Sequence, residues 1–196
     1  MLKRGFDILF SIGGLVILTP LFIIIAVIIK SNSKGPVFFR QLRVGRYDKD
    51  FCVIKFRSMI AKSDSNRLLT IGSKDSRITG AGYYLRKYKL DELPQLINVL
   101  IGEMSLVGPR PEVRKYVDMY NEEQRKVLDV SPGVTDLASI KFRHENELLA
   151  SSKNPEEFYI NKIMPEKIKM NLEYINDRSV MKDVKIIFKT FAAILS

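Results

Sequence analysis

Apolar positions are distributed unevenly along this chain. From Ile8 through Ile29 runs "ILFSIGGLVILTPLFIIIAVII", 22 residues without a charge. As a helix this stretch would be about 33 Å long, enough to cross the hydrocarbon core of a bilayer. No small-x-small cleavage site ends it, and it is too long for the apolar region of a signal peptide. A buried helix of a soluble domain is the other apolar reading. Lys3 and Arg4 flank one end, and Lys30, Lys34, Arg40 and Arg43 the other. Basic flanks mark the cytoplasmic side of a membrane segment, and here both ends carry that mark. Pro20, near the centre, removes a backbone hydrogen bond and crowds the preceding turn. The pattern predicts a re-entrant membrane helix bent at Thr19-Pro20, with a proline-kinked transmembrane helix as the alternative.

The periodicity then shortens. "PVFFRQLRVG" (36–45) and "DFCVIKFRSM" (50–59) are β-rich runs around a short polar loop and predict a hairpin carrying Arg40, Arg43, Lys55 and Arg57. A merely solvated basic face would read the same way. Residues 60–90 look helical, with a polar break at "GSKDSRITGAG". A further helix is expected from about Asp91 to Leu100, with Leu93, Leu96, Ile97 and Leu100 on one face. Near the C-terminus, Val180, Val184, Ile187, Phe188, Phe191 and Leu195 share a helical face, with Lys182, Lys185 and Lys189 on another. That suits a helix in the membrane interface, its lysines near anionic inner-leaflet lipids, or equally a helix packed on its own domain. The expected fold is α+β and helix-rich, with a re-entrant membrane helix, a short β-hairpin and several amphipathic interfacial helices. An anchor (1–34) runs on into one domain (35–196).

Charge narrows the function. The 196 residues carry a net charge of +10, which points to nucleic acid, anionic lipid or a phosphorylated substrate. The single cysteine, Cys52, excludes an internal disulfide and a thiolate cluster, and the single histidine, His144, argues against zinc. A metal here would be a hard cation held by oxygen. In "RKYKLDELPQL" (86–96) two carboxylates, Asp91 and Glu92, stand side by side just after three cations. Asp91 suits a helix N-cap and Pro94 the first turn, so the pair could simply cap a helix and complement its dipole. In "SLVGPRPEV" (105–113), Pro109 and Pro111 stiffen the backbone on each side of Arg110, as aiming a guanidinium at a phosphate requires. Pro111 is expected to open the next helix, and an ordinary turn with an exposed arginine is the bland version.

Taken in order, these segments resemble the bacterial sugar transferases, in particular the small monotopic phosphoglycosyl transferases. The resemblance rests on "KRGFD" (3–7), the proline-broken anchor, "GPVFFRQLRVG", "KFRSM" (55–59), "LRKYKLDELPQLINVL" (85–100), "GEMSLVGPRPE" (102–112) and "PGVTD" (132–136). It implies a chain that opens directly on the catalytic core. It also implies transfer of sugar-1-phosphate from a UDP-sugar to polyprenol phosphate with loss of UMP, in a catalytic domain at the cytoplasmic face of the bacterial inner membrane. By the same resemblance Asp91 would be the nucleophile, giving a covalent phosphosugar intermediate. Glu92 would be its partner, and Mg2+ the cofactor at Asp91 and Glu92. Lys55, Arg57, Arg86 and Arg110 are the candidate phosphate contacts, with Pro109 and Pro111 framing the binding loop. One segment departs: many members have glycine where Asp136 stands and glutamine near Ser139, so any role carried over to 136–165 is open. Two other readings stay on the table, a membrane glycosyl transferase releasing UDP and a catalytically idle membrane adaptor. A nucleic-acid binder fits the charge but not the apolar anchor.

Overall fold

The computed structural model describes residues 2–60, 69–72 and 75–195. Its first element is a single helix, α1 (Leu2–Asn32), which Pro20 does not divide in two. Positions 7, 11, 14, 18, 21, 25 and 29 are buried or half-buried and recur every three or four residues, the spacing of one helical face. The opposite face exposes Leu9, Phe10, Val16, Ile17, Ile23, Ile24 and Val27. An apolar face this broad and continuous is unusual for a surface in water and fits a membrane. Thr19 Oγ1 donates to Leu15 O at 2.7 Å, the back-bond expected of a threonine next to the proline.

A hairpin follows, β1 (Phe38–Val44) antiparallel to β2 (Asp50–Phe56), with Gln41 opposite Val53. Phe51 and Val53 face inward, and Lys55 lies on that same side by strand alternation, so it is not part of a solvated face. Next come α2 (Gly80–Lys87), a 3-10 turn at Leu90–Glu92 and α3 (Gln95–Ile101). Strands β3 (Ser105–Val107) and β4 (Gly133–Thr135) pair in parallel across the short helices α4 (Arg114–Val117) and α5 (Glu122–Arg125). The rest is helical: α6 (Leu137–Lys141), α7 (Glu145–Ser151), α8 (Pro155–Phe158), α9 (Met164–Asn176) and α10 (Val180–Leu195). The largest core cluster joins Val113, Tyr116, Leu149, Tyr159, Ile163 and Ile168 from this half.

Three expectations change. The helix predicted from Asp91 begins instead at Gln95, after the 3-10 turn, because Lys89 takes a left-handed conformation (φ 55°) that turns the chain first. Pro111 does not open a helix, since α4 starts at Arg114 behind an extended Val113. Of the helical stretch expected over 60–90, the structure has α2; residues 61–68, 73 and 74 lie outside the described residues.

Both ends of α1 are bound to this one body. At the N-terminal end Lys3 Nζ donates to Val107 O at 3.0 Å and pairs with Asp183 at 2.5 Å. Arg4 donates to Val99 O and Leu100 O at 2.6 and 2.9 Å, capping α3, and the Leu106 amide donates to Asp7 Oδ1 at 3.1 Å. At the other end the Arg57 guanidinium donates to Ser33 O (2.7 Å) and Lys34 O (2.8 Å) just past the end of α1, and to Ile29 O in its last turn at 3.4 Å. Next to it Phe56 stacks on Phe38 and meets Phe22 edge to face. Helix α10 packs inward through Asp183 and Ile186, and its Thr190 bonds Thr135, while Met181, Phe188 and Phe191 stay exposed.

Asp183 is fully buried, and its partners are Lys3 and the Tyr174 hydroxyl. Lys3→Ala should therefore cost about 3 kcal/mol, because it leaves a buried carboxylate without its cation. Lys3→Ala combined with Asp183→Asn should recover most of that loss. Thermal unfolding of the nanodisc-held protein measures both; no loss in the single variant would refute the role given to the pair.

Candidate active site

The turn that carries Asp91 and Glu92 is held from three directions. On the strand side, Asn98 accepts the Ile54 amide at 3.0 Å and donates to Cys52 O at 2.8 Å, fixing α3 to β2. The left-handed Lys89, a conformation that costs a non-glycine residue roughly 1 kcal/mol or more, folds the chain so that Asp91 points inward. From the third side comes the loop between β3 and α4. Here Gly108 N donates to Thr135 O, Gly133 N to Pro109 O, and Arg110 N to Asp136 Oδ2, all within 3.1 Å. The two strands approach so closely that a Cβ on Gly133 would stand 2.1 Å from the Gly108 nitrogen, so a side chain there cannot be accommodated. Asp136, buried at the N-cap of α6, also accepts the Ser139 amide. The Arg110 backbone is thus rigid, with both flanking prolines buried, while its side chain is 31% exposed.

The two carboxylates sit in different surroundings. Glu92 takes both terminal nitrogens of Arg110, one to each oxygen, and Lys55 Nζ at 3.2 Å. Burial alone would raise its pKa, but Arg110 and then Lys55 outweigh that and hold it well below the usual carboxylate range. Asp91 is 5% exposed, and its Oδ1 has no hydrogen-bond partner. Desolvation first, then the Glu92 charge, raises its pKa. Lys55 is pushed down by desolvation against the pull of Glu92, and Arg110 is pushed up by Glu92. Four residues on, Gln95 is buried with its Nε2 equally unpartnered. An unpaired buried acceptor and an unpaired buried donor thus lie four residues apart in one short stretch.

Of the candidate residues, Asp91, Glu92, Lys55 and Arg110 come together. Arg86 adds its charge to Asp91 and donates to Thr70 Oγ1 at 3.1 Å. Arg57 does not join them, since its guanidinium is buried against the end of α1. Asp91 caps no helix. The amides of Glu92, Leu93 and Leu96 are already taken by carbonyls of the turn, so they are not free to receive an anion. Thr19 and Pro20 lie exposed on the outer face of α1. Sequence reasoning missed Asn98 and Gln95 and gave Asp136 no role; the first two sit within the motif at 85–100, but lie off the apolar stripe predicted for that helix, so their burial had no signal there.

Over residues 1–196 the chain matches the family described as bacterial sugar transferase. The chain belongs to that family. It is 38% identical to the UDP-N-acetylgalactosamine-undecaprenyl-phosphate N-acetylgalactosaminephosphotransferase of Aeromonas hydrophila, over 100% of this chain and 44% of that protein. It is 37% identical to the UDP-glucose:undecaprenyl-phosphate glucose-1-phosphate transferase of Escherichia coli K12, over 97% of this chain and 39% of that one. The chain thus spans less than half the length of these two relatives. The exopolysaccharide production protein ExoY of Sinorhizobium fredii is 32% identical over 98% of this chain and 84% of its own.

The raised pKa of Asp91 has a consequence for stability. Below its unfolded value of 3.8 both states are protonated and nothing is lost. As pH rises past that value the unfolded chain ionises first. Stability then falls until the folded group ionises too, by about 1.4 kcal/mol for each pH unit between the two ionisations. Asp91→Asn removes this penalty. The variant should melt at a higher temperature than the parent at pH 7 and at the same temperature near pH 3.5, and a lower melting point at pH 7 would contradict the burial argument.

Proposed function

We propose that this sugar transferase moves a sugar-1-phosphate from a UDP-sugar to undecaprenyl phosphate. A carboxylate oxygen of Asp91 attacks the phosphorus that bears the sugar. The bond to the bridging oxygen breaks, and UMP leaves with that oxygen and its electron pair. The lipid phosphate then attacks the same phosphorus, the Asp91 carboxylate departs, and a polyprenyl-diphosphate sugar remains. The observation that carries this reading is the division of the acid pair, with Glu92 neutralised by two cations and Asp91 buried beside it with an unpartnered oxygen. Arg110, Lys55 and Arg86 supply positive charge for a diphosphate, and a guanidinium matches phosphate bidentately. A desolvated, poorly hydrated carboxylate is also the better nucleophile once ionised.

For Mg2+ the residues present are an adequate, incomplete set. Asp91 Oδ1 is an unpaired buried oxygen of the kind a hard cation takes, whereas both Glu92 oxygens already face cations. When bound, Mg2+ would offset diphosphate charge that otherwise repels an attacking carboxylate.

The membrane reading follows from α1. A straight span would place its ends on opposite sides of the bilayer, yet Lys3, Arg4 and Asp7 at one end and Asn32, Ser33 and Lys34 at the other bind the same polar body. In our reading α1 enters one leaflet and returns, and the site faces the cytoplasm, where nucleotide sugars are. The exposed residues of α10 and its lysines lie against anionic lipid headgroups.

Two experiments test this. Nanodisc-held protein given undecaprenyl phosphate, Mg2+ and a panel of UDP-sugars should release UMP, and Asp91→Asn should lower the rate by about 10^4-fold or more, the loss seen when a nucleophile is removed. Release of UDP would instead make it a glycosyl transferase, and an active Asp91→Asn would remove the nucleophile assignment. In a Cys52→Ser background, Leu2→Cys and Lys34→Cys should both react with a reagent confined to the cytoplasmic side. Labelling of one of them only from the outside would make α1 a transmembrane span.

A further inference from the structure

The cations that would hold the donor's diphosphate are already engaged. Arg110 Nη1 donates to Glu92 Oε2 at 3.1 Å, Arg110 Nη2 donates to Oε1, and Lys55 Nζ donates to that same Oε1 at 3.2 Å. Glu92 is 12% exposed and Lys55 17%, against 31% for Arg110, so the guanidinium is the most open member of the cluster. It rides on a backbone that cannot follow it, being pinned at Arg110 N by Asp136 and at Pro109 O by Gly133. The carboxylate it covers is one of two in the site, and the other, Asp91, has a buried oxygen without a partner.

We propose that Arg110 and Lys55 latch Glu92 shut: they keep its carboxylate from any divalent cation until a diphosphate draws them away, so that Glu92 becomes a metal ligand only when the donor is bound. This rests on the reading of the site as one for a nucleotide diphosphate. The exchange is balanced in kind, because Arg110 gives up one bidentate anion for another of higher charge. It is also necessary in charge. Glu92 cannot accept a dication at oxygens that two cations already occupy without losing at least one of them, since like charges at hydrogen-bond distance in a poorly solvated site repel strongly. The carboxylate so released would stand next to Asp91, giving the two protein oxygens that, with water and substrate phosphate, suffice for Mg2+. Arg110 and Lys55 are thus positioning residues for Glu92 as well as contacts for substrate. A metal bound without donor would offer Asp91 a competitor for its own oxygen, and the latch limits that.

The test is metal binding without nucleotide. Mn2+ affinity of the full chain, in nanodiscs of uncharged lipid, is read from the spin-resonance signal of free Mn2+. Arg110→Gln should bind Mn2+ about tenfold more tightly than the parent, equal to about 1.4 kcal/mol. Lys55→Gln should move in the same direction by a smaller factor, and it serves where Arg110→Gln fails to fold. Lys89→Gln removes a charge that also acts on both carboxylates but touches neither oxygen of Glu92, and should change affinity less than about threefold, as for a screened surface charge. In Arg110→Gln combined with Glu92→Gln the gain should vanish. The proposal is overturned if Arg110→Gln and Lys89→Gln tighten Mn2+ equally, if the gain survives loss of Glu92, or if no variant binds Mn2+. None of these readings depends on turnover, so failure of the UMP assay and failure of the latch are separate results.

Discussion

A 31-residue apolar helix is bound at both ends to one polar body, and the placing of the dyad depends on that constraint. The link is α3. Its C-terminal carbonyls are capped by Arg4, its Leu96 packs so closely on Gly14 that a Cβ there would stand 3.1 Å away, and Asn98 ties it to β2. The dyad immediately precedes α3, which is only about 10 Å long at 1.5 Å per residue. The height of Asp91 above the anchor is therefore fixed by covalent geometry, four hydrogen bonds and one close apolar contact. A free loop could not hold a carboxylate at a constant height above the anchor in this way.

Charge compensation explains why two adjacent carboxylates tolerate burial together. Two bare carboxylates in a dry site would repel each other and at least one would take a proton. Here Glu92 gains two cations and remains ionised, so the burden falls on Asp91, whose pKa rises by desolvation and by its neighbour's charge. The cost is local instability at Asp91. The arrangement resembles other sites where two like groups are driven to opposite protonation states by their surroundings, which is what allows them distinct roles.

How much of this could be read in the sequence follows from what each signal depends on. The anchor, the hairpin and the meeting of Asp91, Glu92, Lys55 and Arg110 were legible, because hydrophobic runs and motif order need no tertiary detail. Arg57 was not: its type and neighbourhood suggested phosphate, yet its task is to satisfy carbonyls at the end of a helix that precedes it by more than twenty residues. The start of α3 was misplaced for a local reason. Asp followed two residues later by Leu-Pro looks like a helix start, but the left-handed Lys89 inserts a 3-10 turn that no propensity announces. "KRGFD" offered flanking charge, and only the fold shows that its cations and its aspartate are docking groups.

The departure at Asp136 is the place where physical reasoning adds most to resemblance. Glycine is needed where φ is positive or space is absent, and neither holds here: Asp136 is extended, at φ −154°. Its side chain accepts the Arg110 amide and caps α6 at once, so the aspartate ties the loop that presents the guanidinium to the start of that helix. The divergent segment that follows is joined to the same loop from its far side. Tyr159, whose pKa is held well above its usual value chiefly by burial, donates to Glu112, and Glu112 also receives Arg43 at 3.0 Å. Asp136 and Tyr159 thus grip the Pro-Arg-Pro loop from both ends. Variation there would reach Arg110 through its backbone, and through Arg110 the Glu92 carboxylate that both of its terminal nitrogens hold.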